Sequence, residues 1–167
     1  MNNDILIRTA RGEDAAALAR IYAYYVEKTA ITFEYTVPDA AEMERRRQEI
    51  SQQYPYLAAE VEGKVVGYAY AHAFYGREAY AWSVESSIYV DVNERKRGIG
   101  RKLYEALEEA LKSMGILNVN ACIAIPYDEN DSYVTYDSLN FHEHLGYTLA
   151  GRFHNSGYKF DLWYDVV

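Results

Sequence analysis

The segment Arg95-Lys96-Arg97-Gly98-Ile99-Gly100 joins three cationic side chains to two glycines, and an amphipathic pattern follows it directly. Glycine lets backbone amides come close to a ligand, and the first-turn N–H groups of a following helix have no partner within that helix. With the helix dipole behind them, those groups suit an anion, and Arg95, Lys96 and Arg97 add attraction at longer range. The guest that fits is a phosphate or pyrophosphate. Gly98-Ile99-Gly100-Arg101-Lys102-Leu103 has no third glycine where a dinucleotide fingerprint needs one, and it lacks the Gly-Lys-Ser/Thr of a nucleoside triphosphate loop. The competing reading is a tight strand-to-helix turn whose basic side chains are solvated.

The elements that must hold this turn are read from hydrophobic periodicity. Ile5, Ile7 and Thr9 alternate as an opening strand. Ala15, Leu18, Ile21, Tyr22, Tyr25 and Val26 recur at helical spacing between Gly12 and Lys28. Thr29–Pro38 reads as a loop, and Pro38-Asp39 opens a second helix to about Gln52. Tyr56–Glu62 and Lys64–His72 form a hairpin around Glu62-Gly63-Lys64. Ala79–Val92 is a longer strand leading into the glycine turn. Ile99, Leu103, Leu107, Ala110, Leu111 and Met114 make one face of the next helix, which Gly115 stops. Leu117–Ile125 is a strand stopped by Pro126, and the polar, tyrosine-rich stretch 127–137 is a loop. Leu139–Leu145 is a short helix. Tyr147–Phe153 and Tyr158–Val166 pair around Asn155-Ser156-Gly157. The order β-α-α-β-β-β-α-β-α-β-β describes one mixed α/β domain over residues 1–167.

Composition narrows the partners. The 167 residues are half hydrophobic, enough for a single core, and Lys plus Arg number 17 against 25 Asp plus Glu, a net charge of -8. Such a balance argues against a general affinity for nucleic acid or an anionic membrane. One cysteine rules out an intramolecular disulfide framework, and the scattered histidines make no metal site. No apolar run approaches the roughly 20 residues of a spanning helix. No export signal is visible, so the expected place is the cytoplasm. The 18 tyrosines, against five phenylalanines and two tryptophans, suit half-buried sheets, wet clefts or interfaces.

Arg-x-x-Gly-x-Gly between a long strand and an amphipathic helix resembles the acetyl-CoA loop of the GNAT superfamily of N-acetyltransferases, and the element order is that family's order. Thr32-Phe33-Glu34, Ala79-Tyr-Ala-Trp-Ser-Val-Glu-Ser-Ser-Ile-Tyr-Val90, Phe141-His-Glu-His-Leu-Gly-Tyr147 and Gly157-Tyr-Lys-Phe-Asp-Leu-Trp-Tyr-Asp165 resemble its phosphinothricin acetyltransferase branch. The resemblance implies a central, mostly antiparallel twisted sheet, splayed between the fourth and fifth strands and flanked by about four helices. It implies acetyl transfer from acetyl-CoA, with no metal, to the primary amine of a small amino-acid-like substrate such as phosphinothricin, methionine sulfone or methionine sulfoximine. A homodimer is expected.

The resemblance also assigns residues. Arg95, Lys96, Arg97, Gly98, Ile99, Gly100 and Arg101 would hold the pyrophosphate, chiefly through their amides. Ile88, Tyr89 and Val90 would pair with the pantetheine arm, and an N–H there would polarise the thioester carbonyl. Glu85 corresponds to the glutamate proposed as general base. A lysine-like amine has a pKa of about 10.4 and must lose a proton before attack, and burial in Trp82-Ser-Val-Glu-Ser-Ser-Ile would raise a carboxyl toward a useful value. His142 stands where many members carry a tyrosine that protonates the leaving thiolate. Phe33, Arg77, Lys159 and Trp163 match the substrate region, where Arg or Lys would bind a carboxylate or phosphinate. The family's cofactor-contacting asparagine is missing or displaced to Asn130, with Asp131–Asp137 as extra residues before Ser138. Cys122 reads as a small buried hydrophobe. His72 and His154 have no partner pattern. The alternatives are an acyl-CoA-binding module without turnover and an acetyltransferase acting on a peptide or protein N-terminus.

Overall fold

A computed structural model describes residues 4–167, and their contacts form two compact units. The first contains the chain up to Tyr22 together with Pro38–Asn120. Its alternating segments become a five-stranded sheet in the order β1 (Leu6–Thr9), β2 (Tyr56–Val61), β3 (Lys64–Ala73), β4 (Ser83–Val90) and β5 (Asn118–Asn120). All neighbours are antiparallel except β4 and β5, which are parallel. Glu62 and Gly63 both take positive φ, the twist-matched geometry of a two-residue hairpin.

Helix α1 (Ala15–Lys28) buries all six of the apolar positions read from its sequence. Helix α2 (Ala40–Ser51) starts where Asp39 accepts a hydrogen bond from the Glu42 amide at 2.8 Å. Helix α3 (Ile99–Ser113) buries Ile99, Leu103, Leu107 and Leu111, a stripe that packs on β2, β3 and β4. Gly67 of β3 permits this approach: a Cβ there would sit 3.3 Å from both Ile99 and Leu103. Because strand side chains alternate, Gly67, Ala69 and Ala71 face α3. Tyr68, Tyr70 and His72 then face the other way, and Tyr68 and Tyr70 share a cavity with α1 and α2 residues.

A buried ion pair ties β1 to the start of α1. Arg8 donates to both oxygens of Asp14, at 2.7 and 2.9 Å, and the Arg11 amide donates to the same carboxylate at 2.7 Å. The Arg8 guanidinium, foremost, holds the Asp14 carboxyl below the usual range against the opposing push of burial. A depressed carboxyl stabilises the fold above the unfolded value of about 3.9, and that contribution is lost as pH falls below it. Asp14→Asn is therefore expected to cost about 2 kcal/mol at pH 7, because the largely buried Arg8 loses its two-oxygen partner and keeps only Glu60, 2.9 Å from its Nε. Urea unfolding at pH 7 checks this. The gap between wild type and variant should shrink as pH falls below about 4.

The second unit contains 23–37 and 121–167. Its sheet has the order β6 (Ala124–Ile125), β8 (Leu162–Val166), β7 (Phe153–Lys159), all antiparallel. Helix α4 (Asp137–His144) precedes this hairpin. The fold expectation is met by the mixed α/β architecture, its four helices and the parting of β4 from β5.

Several boundaries differ from the sequence reading. The strand expected over Ala79–Val92 is shorter, because Glu78–Tyr80 and Val92–Glu94 are 3-10 turns. Asp91 makes the second turn by accepting from the Asn93 amide at 3.0 Å. The strand expected over Leu117–Ile125 breaks in two, and Cys122, expected to be buried, is exposed between the pieces. The closing hairpin turns at Phe160-Asp161, both at positive φ, and Tyr147–Arg152 is not strand. Asn155-Ser156 instead form a bulge within β7. Asp165 stabilises that bulge by accepting from the Asn155 amide at 2.7 Å, from Arg152 at 2.5 Å and from His154 at 2.9 Å. The Asn155 amide, foremost, brings the Asp165 carboxyl down to about 2.

Candidate active site

Pairing between β4 and β5 covers only Ser83–Glu85 against Asn118–Asn120, and Glu85 is the last partner. The ladder ends in side-chain bonds. The Asn120 carboxamide donates to the Val84 carbonyl at 3.1 Å, and the Asn120 carbonyl accepts from the Ser86 hydroxyl at 3.2 Å. Ser86 is buried on the α3 face, 3.3 Å from the Tyr104 hydroxyl. Beyond Glu85, β4 runs without β5. The Asp91 amide donates to the Val66 carbonyl at 2.8 Å, so odd-numbered peptide groups of β4 point to β3. Those of Ile88 and Val90 point to the edge that β5 has left, whereas Tyr89 directs its peptide groups to β3 and its ring to Tyr22, 4.9 Å away.

Cross-strand partners share a face. Glu85 lies opposite His72, Ser87 opposite Tyr70 and Tyr89 opposite Tyr68, so all six stand on the α1–α2 face of the sheet. Tyr56 stacks on Tyr70 at 4.8 Å and on Tyr68 at 5.9 Å. With Tyr22 these rings wall a cavity of about 110 Å³, into which α2 brings Arg46 and Glu49. Burial pushes the Tyr56 and Tyr68 phenols well up, so both stay neutral. Glu85 is half-buried, with 26 % of its side chain exposed, less enclosed than its apolar neighbours in sequence implied.

The basic turn leads from β4 into α3. Lys96 at φ 63 and Gly98 at φ 80 are left-handed within three residues. Paired conformations of this kind turn successive amides inward and make an anion-binding concavity. The first helical bond runs from the Lys102 amide to the Gly98 carbonyl at 3.1 Å, so the amides of Ile99, Gly100 and Arg101 have no partner inside the helix. Arg97 is ion-paired to Glu94 in the same turn. Arg95, Lys96 and Arg101 are exposed, as is Arg77 in the β3–β4 connection.

In the second unit the loop 29–37 is fastened at several points. Lys159, only 2 % exposed, donates to the carbonyls of Thr29 at 2.8 Å and Thr32 at 2.7 Å, and burial draws its ammonium below the usual lysine range. The Ala30 amide donates to the Tyr133 carbonyl at 3.0 Å, and the Tyr35 hydroxyl to the Tyr158 carbonyl. The Phe33 ring lies on Gly157, where a Cβ would overlap it. Gly157→Ala should therefore displace Phe33 and loosen the loop. The expected loss is about 2–3 kcal/mol, with faster proteolysis within 29–37, and limited digestion checks it. Trp163 is half-exposed and packs against Tyr158 at 4.9 Å.

The acidic stretch 127–137 is built into this unit. Asp131 accepts from the Tyr133 and Val134 amides at 2.7 and 3.1 Å, which buries Val134 beside Ala30, Ala124 and Tyr164. Asp128 accepts from the Asn130 amide at 2.8 Å, with Asn130 itself exposed. In α4, His142 Nδ1 donates to the Ser138 carbonyl at 2.7 Å, so Nε2 carries the lone pair. Burial draws the His142 imidazole below the usual value, and the neutral form prevails at pH 7.

Ser86, Tyr104, Asn120 and His72 were not singled out by sequence. The first three carry no motif, and their importance lies in where β5 stops. His72 stands alone in sequence and meets Glu85 only through the β3–β4 register. Among the described residues no helix is long and apolar enough to cross a membrane, and no three His, Cys, Asp or Glu side chains gather where they could hold a metal ion.

The chain is similar over nearly its whole length to known proteins. A family model described as an acetyltransferase (GNAT) domain matches residues 7–167. The chain is 36% identical over 160 residues to a phosphinothricin N-acetyltransferase of Streptomyces viridochromogenes, covering 96% of this chain and 83% of the relative. It is 30% identical over 163 residues to an L-methionine sulfoximine/L-methionine sulfone acetyltransferase of Pseudomonas aeruginosa, covering 96% and 90%. The crystal structure of a GNAT superfamily phosphinothricin acetyltransferase from Sinorhizobium meliloti, in complex with acetyl-CoA, superposes with a TM-score of 0.87 at 34% identity, covering 97% of this chain and 84% of that one.

Proposed function

Because the chain belongs to the GNAT acetyltransferase family, we propose that it moves an acetyl group from acetyl-CoA to the primary amine of a small amino-acid-like substrate, with Glu85 as general base. The observation that carries this reading is the parting of β4 and β5 at Glu85. It leaves one strand that combines a carboxylate, peptide groups of Ile88 and Val90 on the side away from β3 and, at its end, an amide-rich turn.

In this reading the amides of Lys96–Arg101 bind the pyrophosphate, and Arg95, Lys96, Arg97 and Arg101 attract it. Peptide groups of Ile88 and Val90 pair with the pantetheine arm, and Tyr89 supports them from the opposite face. Glu85 removes a proton from the substrate ammonium, and the free amine attacks the thioester carbonyl carbon. The C–N bond forms, a backbone N–H of β4 stabilises the oxyanion, and the C–S bond breaks. His142 hands a proton to the departing thiolate. Since its neutral form prevails, it must first be protonated, by solvent or by the proton released from the amine. Arg77 binds the substrate's acidic group, and Phe33 and Trp163 supply apolar contact. Lys159 acts on substrate by holding the loop that carries Phe33. Asn130 and Ser138 supply side contacts to the cofactor. The named relatives, one for phosphinothricin and one for methionine sulfoximine and sulfone, support a small amino-acid-like substrate. The remaining parts of the proposal are one domain over residues 1–167, a cytoplasmic location, and a homodimer joined through the exposed Phe153, Tyr158 and Leu162.

A thiol-release assay with acetyl-CoA against amino-acid analogues, polyamines, aminoglycosides and peptides tests the substrate class. Release is expected with phosphinothricin or methionine sulfoximine. Release with peptides alone would favour an N-terminal acetyltransferase, and none with any amine an acyl-CoA-binding module.

A further inference from the structure

We propose that His72 is the proton-accepting partner of Glu85, receiving from it the proton taken from the substrate amine. This rests on the reading of Glu85 as the base and extends it to a residue on the neighbouring strand.

The register sets His72 of β3 directly across from Glu85 of β4, and His72 Nε2 lies 4.0 Å from Glu85 Oε1. On the other side of the ring, Nδ1 is 3.1 Å from the Ala73 carbonyl. A carbonyl oxygen only accepts, so Nδ1 carries the hydrogen and Nε2 of the neutral ring presents its lone pair to the carboxylate. Two acceptors facing one another bind only through a proton between them. At 4.0 Å they are about 1 Å beyond a direct hydrogen bond, a gap that a small side-chain rotation or one water closes.

The surroundings fit that role. On the same face, Tyr70 of β3 places its ring 6.3 Å from His72, and Ser87 of β4 lies across from Tyr70. On β5 the residue paired with Glu85 is Asn120, which is neutral. The charged groups of the adjoining face are Arg46 and Glu49 of α2, which meet Tyr70 at the cavity and are opposite in sign. Exposure rises from 26 % at Glu85 to 40 % at His72, which gives the proton an outward route. The step balances: the amine N–H breaks, the proton passes to Glu85 Oε1 and then to His72 Nε2, and the resulting imidazolium returns it to water.

The test compares the purified wild type with H72Q, E85Q and the double variant, reading kcat and kcat/KM from pH 6 to 9 (roughly the range spanning imidazole titration). Glutamine places a polar carboxamide near where Nε2 stands but cannot take up a proton. We expect H72Q to lower kcat about tenfold with the acetyl-CoA KM unchanged and a flattened pH profile, and to add nothing further to E85Q. H72Q with a wild-type rate and a superimposable pH profile, beside a slow E85Q, would overturn the pairing and leave the base reading standing. A wild-type rate in E85Q would overturn both. If H72Q melts at a lower temperature, H72A with added imidazole replaces it: restored turnover supports the proposal, and no restoration overturns it.

Discussion

Replacing Glu85 with glutamine should reduce turnover by about 10²–10³ near neutral pH while acetyl-CoA affinity stays close to the wild-type value. The magnitude follows from the task. An α-ammonium with a pKa of about 8 is still mostly protonated at pH 7.4, and a positioned base typically supplies a factor of 10²–10⁴. Expressed as activation energy, the expected loss is about 3–4 kcal/mol. Glutamine keeps the shape and one acceptor but cannot take the proton. The cofactor contacts proposed above come from the glycine turn and from the peptide groups of Ile88 and Val90, none of which this substitution touches. Turnover should also recover partly as pH rises toward the amine's own pKa, because solvent then supplies the free amine. Steady-state kinetics across pH, with acetyl-CoA titrated separately, checks both parts. Unchanged turnover would refute the role of Glu85.

Replacing Gly98 with valine should weaken acetyl-CoA binding by up to about two decades, close to 3 kcal/mol. Gly98 sits at φ 80, with nothing within 4 Å of where its Cβ would be. The loss therefore comes from the backbone and not from a clash. A β-branched residue is strained by up to about 3 kcal/mol in the left-handed region. The turn relieves that strain by rotating the amides that would converge on the pyrophosphate. Reversing the charge at Arg97 should have a smaller effect, within about tenfold, because its guanidinium is already paired with Glu94 in the same turn. Calorimetric titration of acetyl-CoA into both variants separates amide recognition from charge attraction. Equal, negligible changes in the two would sink the amide cradle.

The elements nearest the chemistry were legible because several local signals agree there. The α3 stripe, the left-handed glycine at its start and the strand before it all point to one strand–turn–helix unit, and the structure forms it at Gly98–Ile99. Glu85 was found through resemblance, and its place at the end of the β4–β5 ladder gives that choice a physical basis. The break between β5 and β6 was not legible, since Leu117–Ile125 carries no glycine or proline to mark it. The chain leaves β4 because Ser86 and Asn120 side chains replace the next backbone bonds. The closing turn was misplaced because Asn155-Ser156-Gly157 looks like a turn and Phe160-Asp161 does not. Asp165 decides the matter by gathering Arg152, His154 and the Asn155 amide into a bulge.

Lys159 shows a different limit. By charge alone it suits an anionic substrate, yet its ammonium is spent on two carbonyls of the loop that carries Phe33. Sequence position cannot distinguish a lysine that binds substrate from one that holds a loop. The tyrosine surplus, by contrast, resolves into a shared face: Tyr56, Tyr68, Tyr70 and Tyr89 stand on the side of the sheet that carries Glu85. Tyr133 contributes instead to the second unit's core, stacked at 4.0 Å on Phe160.

The most direct test of amine acetylation is to incubate the protein with acetyl-CoA and methionine sulfoximine or phosphinothricin, and to follow free CoA and the α-N-acetylated amine together by mass spectrometry. The expected result is one acetylated amine for each CoA released, with no acetyl group left on the protein. A protein that binds acetyl-CoA tightly yet releases no CoA and forms no acetylated amine would contradict it.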